Sequence, residues 1–116
     1  MSNLVANLST GKGTWTEIIK LINSENWENV FLITNKFGKD NFKHERAEFI
    51  LIKEDSILKM SDQITKALRR KLGFNDVAVN FISGNGKEHM ALLSALLKMG
   101  VGIRFVTLDN NQMIEL

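Results

Sequence analysis

The 116-residue chain contains no cysteine, and that one absence removes disulfides, thiolate catalysis and cysteine-based zinc sites together. Histidine is nearly as scarce, with two residues. His44 and His89 are far apart in the sequence and neither has an i, i+4 partner, so no metal site and no cofactor is expected. No serine nucleophile with a plausible His-Asp pair is visible. No apolar run approaches the ~20 residues that a membrane span requires. Met1-Ser2-Asn3 lacks a charged leader followed by a long apolar stretch, so the expected setting is cytoplasmic and away from membranes. A formal charge of +2 is too small for a general nucleic-acid binder, which leaves the placement of charge as the informative quantity.

What is present fits one domain with one core: 44% of the residues are hydrophobic, and no linker or low-complexity stretch divides residues 1–116. Strand-like and helix-like segments alternate. Leu4–Leu8 reads as a short first strand. Thr14-x-x-Glu17 then spells a capping box, followed by Trp15, Ile18, Ile19 and Ile22 on one helical stripe. Val30–Thr34 and Phe49–Ile52 are continuous apolar runs, as strands covered on both faces read. Ile57, Met60, Ile64, Ala67, Leu68 and Leu72 line one face of a longer helix that Gly73 is placed to end. Val77–Ile82 is the next buried strand, and a helix over Lys87–Met99 follows, capped by Asn85 and Glu88 and stopped by Gly100. Ile103–Leu108 is a strand, Asp109-Asn110-Asn111 a turn, and Met113–Leu116 is placed to return as a hairpin arm. Residues 36–46 show no clean helical period; a short helix and a non-parallel third strand both fit them. The pattern implies an α/β domain whose mostly parallel sheet of five strands carries helices on both faces.

Two short segments are built to one recipe. Leu8-Ser9-Thr10-Gly11-Lys12-Gly13-Thr14 leaves the first strand, and Ile82-Ser83-Gly84-Asn85-Gly86-Lys87-Glu88 leaves the fourth. They hold four of the eight glycines. A loop that leaves a strand and opens a helix presents unpaired N–H groups and the positive end of the helix dipole. Glycine lets the backbone approach a ligand and lysine adds a charge, so the recipe suits an anion, above all phosphate. Glycine, serine and threonine also serve simply to turn a chain; the repetition of the glycine–lysine pair favours the anion. In doubly wound sheets the ligand lies beyond the carboxyl ends of the strands where their order reverses. If the first and fourth strands are neighbours there, both loops face one crevice.

The common phosphate fingerprints do not fit. A P-loop needs four residues between its glycines, whereas Gly84-Asn85-Gly86-Lys87 has one, and Glu88 stands where the hydroxyl belongs. The dinucleotide pattern begins at Gly11 and Gly13 but meets Thr16 in place of its third glycine, and Asn35 takes the place of the acidic residue. A basic cluster, Lys36, Lys39, Lys43 and Arg46 with Phe37 and Phe42 between, suits single-stranded nucleic acid, but reads better as a solvated crossover anchored by its phenylalanines. His89, in the first turn of the last helix, could donate to an anion, although a cap or surface role is the commoner one. That helix is apolar nearly all round, which calls for cover on several sides and predicts a two-fold homodimer.

At these residues the chain resembles the CRISPR-associated Rossmann fold (CARF) domains. The resemblance lies in the first strand running into Leu8–Glu17, in Asn80–Leu93 with its Gly-x-x-Lys-like loop and Met/Ala/Leu-rich helix, and in the Val30–Asn35 and Val101–Val106 strands. It spans nearly the whole chain through short motifs of common residues. Where the family often reads Gly-Gly-Thr-Lys, this chain has glycine in the threonine position, at Gly86.

The resemblance implies a stand-alone Rossmann-like three-layer domain, homodimeric, that binds a cyclic oligoadenylate made in type III CRISPR defence. It implies a sensor that passes its signal to a separate effector protein, because no effector domain is attached. Ser9, Thr10, Gly11, Lys12, Gly13, Thr14, Ser83, Gly84, Asn85, Gly86, Lys87 and His89 are then the expected ligand-binding residues. An alternative within the family is metal-independent cleavage of the ring by its own 2′-hydroxyl, with Lys87 stabilising phosphorane charge and Ser9 assisting. A further alternative is a non-catalytic interaction module that recruits another protein through its apolar helix.

Overall fold

The computed structural model describes residues 2–73 and 75–116; Met1 and Phe74 lie outside them. Among the described residues, six strands and four helices follow in the order β1 (Asn3–Asn7), α1 (Trp15–Asn23), β2 (Val30–Thr34), α2 (Lys36–Asn41), β3 (Ala47–Leu51), α3 (Ile57–Leu72), β4 (Val77–Asn80), α4 (Gly86–Met99), β5 (Ile103–Asp109) and β6 (Gln112–Glu115). The sheet order is β3-β2-β1-β4-β5-β6. β1 to β5 are parallel, and β6 returns antiparallel on β5. The expected α/β domain with five parallel strands and a hairpin arm is therefore the architecture of this chain. Chain order reverses between β1 and β4, which pair from Asn3–Val77 to Ala6–Asn80.

Alternate residues of each strand feed two cores, one on each face of the sheet. Leu4, Ala6, Leu32 and Ala78 pack with Trp15, Ile18, Ile22 and Phe42 beneath α1 and α2. Val5, Phe31, Ile33, Val77 and Val79 pack with Met60, Ile64, Leu68, Ala91, Leu92 and Leu96 beneath α3 and α4. β1, β2 and β4 are buried throughout, which explains why they read as unbroken apolar runs. No helix among the described residues is long and apolar enough to cross a membrane.

Residues 36–46 form the six-residue helix α2 and a connection into β3, which is parallel to β2. Asn35 caps α2 by accepting from the Gly38 amide at 3.0 Å. Phe42 is buried, whereas Phe37 stays 44% exposed, so one phenylalanine rather than two anchors the crossover. The capping box expected at Thr14 does not form. A 3-10 turn over Lys12–Thr14 leads into α1, and Thr14 has helical φ and ψ of −101° and 0° with no side-chain cap. A capping residue needs extended backbone, so the same four-letter spelling fails there. A capping box does form at α4, spelled Asn-x-x-Glu, where the Asn85 and Glu88 side chains each accept from the other's backbone N–H. The β5–β6 turn uses Asn110 and Asn111 at φ of 51° and 63°, the left-handed pair that a two-residue hairpin turn demands.

Candidate functional site

The two glycine loops meet. The Ser9 amide donates to the Ser83 hydroxyl at 2.8 Å across 74 residues of sequence. Ser83 is fully buried, so its hydroxyl acts as a staple between the loops. Each loop is further held from within. The Ser9 hydroxyl donates to the Gly11 carbonyl at 2.8 Å, and the Trp15 indole N–H donates to the Ser9 carbonyl at 2.9 Å. His89 Nε2 lies 2.8 Å from the Ser83 carbonyl oxygen, which can only accept, so Nε2 carries the proton. The same ring stacks on Phe81 at 4.8 Å. His89 thus braces the second loop.

Beside this junction a cleft of about 480 Å3 opens at the carboxyl ends of β1, β2 and β3, bounded by α3 and the start of α4. That volume suits a small ligand. Of the residues expected from sequence, Ser9, Thr10, Gly11, Gly84 and Asn85 line it. Gly13 and Gly86 are exposed beyond its lining, and Thr14 is half-buried at the start of α1.

The two lysines are not brought to one point. Lys12 Nζ stands over the rings of Trp15 and Phe37, at 5.7 and 5.9 Å from their centroids, which places it above α1 and α2. A lysine surrounded by aromatic faces gains a cation–π attraction there. Lys87 instead reaches the β3–α3 loop, where its Nζ pairs with Glu54 Oε1 at 2.6 Å. Glu54 itself lines the cleft.

Residues without a glycine motif complete the lining: Asn7, Asn35, Lys53, Glu54 and Glu88. Lys53 is fixed through its backbone, because Gln63 accepts from its amide at 2.8 Å and donates to its carbonyl at 3.1 Å. Among the described residues its ammonium has no acidic partner within ion-pair distance. Glu88 is committed to the capping box, accepting from the Asn85 amide at 2.9 Å. With Asn85 capping the third N–H of α4, the first two, on Gly86 and Lys87, keep no intrahelical acceptor. They join the positive end of the helix dipole next to Asn85, outside the lining itself. Lys53 had a readable signal, a cation immediately beyond an apolar strand at the end where α/β ligands sit.

Chemically, the cleft combines one lining ammonium group, Lys53, with apolar Leu8, Ile33, Ile52, Met60 and Ile64, and Lys87 stands beside it on Glu54. Among the described residues no group of three or more His, Cys, Asp or Glu is arranged to hold a metal ion. Compared with protein-family models and with curated proteins, the sequence matches none.

Proposed function

We propose that the cleft binds a phosphate-bearing nucleotide and, on the resemblance to CARF domains, that this ligand is a cyclic oligoadenylate shared by two copies of the chain. The observation that carries the reading is the junction of both glycine loops at the β1/β4 reversal. Beside it Lys53, Gly84 and Asn85 line one cleft, the open amides of Gly86 and Lys87 follow Asn85 directly, and the Lys87 ammonium pairs with the cleft residue Glu54. Phosphate at such a helix start gains both hydrogen bonds and dipole attraction.

Dimerisation draws support from the outer surface of α4. Met90 and Leu97 are 61% and 65% exposed, and with Leu93 they form an i, i+3, i+7 stripe. On the same side of the sheet Phe105 packs edge-on to Phe81. Ile114 and Leu116 alternate with Met113, whose contacts are with the opposite core, so they too belong to the α4 side. A self-complementary apolar face of this kind suits a two-fold interface. On the same resemblance, the bound sensor would pass its signal to an effector.

Isothermal titration with cyclic tetra-adenylate and hexa-adenylate tests the reading. Saturable binding of one of them is expected, weakened about tenfold or more by Lys87→Ala or Lys53→Ala, since a charge-assisted contact contributes ~1.5–3 kcal/mol. Absence of heat with both rings would remove the cyclic oligoadenylate. A second reading, cleavage of the ring, rests on the Lys87 ammonium that pairs with Glu54 beside the cleft. Fragments ending in 2′,3′-cyclic phosphate, formed in EDTA and lost in Lys87→Ala, would establish it.

A further inference from the structure

The floor of the cleft holds a polar group that the phosphate reading does not use. Asn7 ends β1, is 2% exposed and lines the cleft. Its amide nitrogen is buried and has no hydrogen-bond partner among the described residues. The other buried asparagines are spent differently. Asn3 accepts from Asn29 at 3.0 Å. Asn80, one strand over, donates to the Val106 carbonyl at 2.8 Å and accepts from the Ile82 amide at 2.9 Å. Buried amides are as a rule fully paired, so the unmet donor of Asn7 is a feature that needs a partner.

Its surroundings specify what kind. Gly84, at φ of +101°, passes directly over Asn7, and a Cβ there would stand 3.2 Å from the Asn7 Cβ. The loop can adopt this backbone and this approach only as glycine. The cleft that Asn7 lines is also lined by Ile33, Ile52, Met60 and Ile64, apolar side chains that suit a flat ring. An amide carries a donor and an acceptor in one plane, the complement of a nucleobase edge with adjacent acceptor and donor, and asparagine reads adenine bidentately in this way.

We infer that the cleft floor receives a nucleobase whose edge is read by Asn7, while the phosphate stays at the mouth near Lys87 and Lys53. The inference rests on the nucleotide reading and adds its orientation and its base-reading residue. The ligand enters base first, between the β-strand ends and α3.

The full chain is titrated with AMP, adenosine, ribose 5-phosphate and inorganic phosphate, and with the other three nucleoside monophosphates to rank the bases. AMP is expected to bind at least tenfold more tightly than ribose 5-phosphate. Asn7→Ala and Asn7→Asp should reduce that preference to within about threefold, as loss of one buried hydrogen bond is worth roughly tenfold. In 15N-labelled wild-type protein, the Asn7 side-chain NH2 signals should shift with AMP and adenosine but not with ribose 5-phosphate. This readout needs no variant to fold. Equal binding of AMP and ribose 5-phosphate would overturn base reading and leave the phosphate site standing. Equal weakening of both by Asn7→Ala would overturn it as well, by assigning Asn7 to the phosphate or to the scaffold. Adenosine binding that needs Asn7, without any gain from phosphate, would support the base slot and sink the phosphate reading. Failure of every probe would overturn both.

Discussion

Glu54 occupies the position that an anionic ligand would contest. Its carboxylate holds Lys87 at 2.6 Å, with the two side chains 72% and 39% exposed, so water screens the pair and it contributes only ~0–1 kcal/mol. A phosphate at the α4 start would have to take Lys87 from Glu54 and sit beside a carboxylate. Glu54→Gln is therefore expected to tighten phosphate or AMP binding by about two- to fivefold. The gain should shrink as salt rises from about 0.05 to 0.5 M, where exposed charges are increasingly screened. Weaker binding in Glu54→Gln, measured by titration at both salts, would mean that the carboxylate helps to hold the ligand. The glycine loops were legible in the sequence because they carry a repeated composition. Asn7 and Glu54 were not: Asn7 is one polar residue at the end of an apolar strand, and Glu54 is one of the polar run Lys53–Ser56, in which only Lys53 stood out as a cation just past a strand. Only the strand order, which puts β1 beside β2 and β4, gives them a common cleft.

At the scale of the element, legibility followed the length and burial of each segment. β1, β2 and β4 are buried on both faces, and α3 runs 16 residues with an N-cap at Ser56 and Gly73 at φ of 63° past its end. Periodicity and punctuation agree there. α2 is six residues long, less than two turns, so no apolar period could show. Its signature lies instead in Asn35 as cap and in Gly38, which packs on Thr34 so closely that an added Cβ would collide with Thr34 Oγ1 and Cβ. Thr34 Oγ1 itself donates to the Leu8 carbonyl at 2.9 Å, tying β2 to the loop that lines the cleft. Gly38→Ala is accordingly expected to lower stability by about 1–3 kcal/mol in urea unfolding, as overpacking does. Gly86→Ala meets nothing within 4 Å and sits in the first turn of α4, so it should stay within about 0.5 kcal/mol of wild type. Equal effects of the two changes would show that the α2–β2 contact is looser than this geometry.

For the whole molecule, the question is what covers the α4 side. α3 and α4 cover the β1–β4 part of the sheet, and the β5–β6 arm extends beyond them with Phe105, Ile114 and Leu116 at 39%, 37% and 79% exposure. The sequence showed that α4 is apolar all round, and the structure divides that surplus: Ala91, Leu92, Ala95 and Leu96 serve the core, while Met90 and Leu97 do not. Exposed apolar area gains about 25 cal/mol per Å2 when it is removed from water, and a stable interface needs roughly 800 Å2 from each partner. The stripe and the arm are the surfaces from which such an area can come. Leu97→Glu puts a charge in the middle of the stripe without touching the core, so the stability of the single chain should change by no more than about 0.5 kcal/mol. Under two-fold symmetry the change enters the interface twice, and two like charges in an apolar contact cost far more than one. Sedimentation equilibrium at high micromolar protein should therefore give the mass of two chains for wild type and of one for Leu97→Glu, with matching circular dichroism. A monomeric wild type at that concentration would leave the stripe to another partner. A variant that stays dimeric would move the interface away from α4, and with it the reason to expect the two clefts to share one ring.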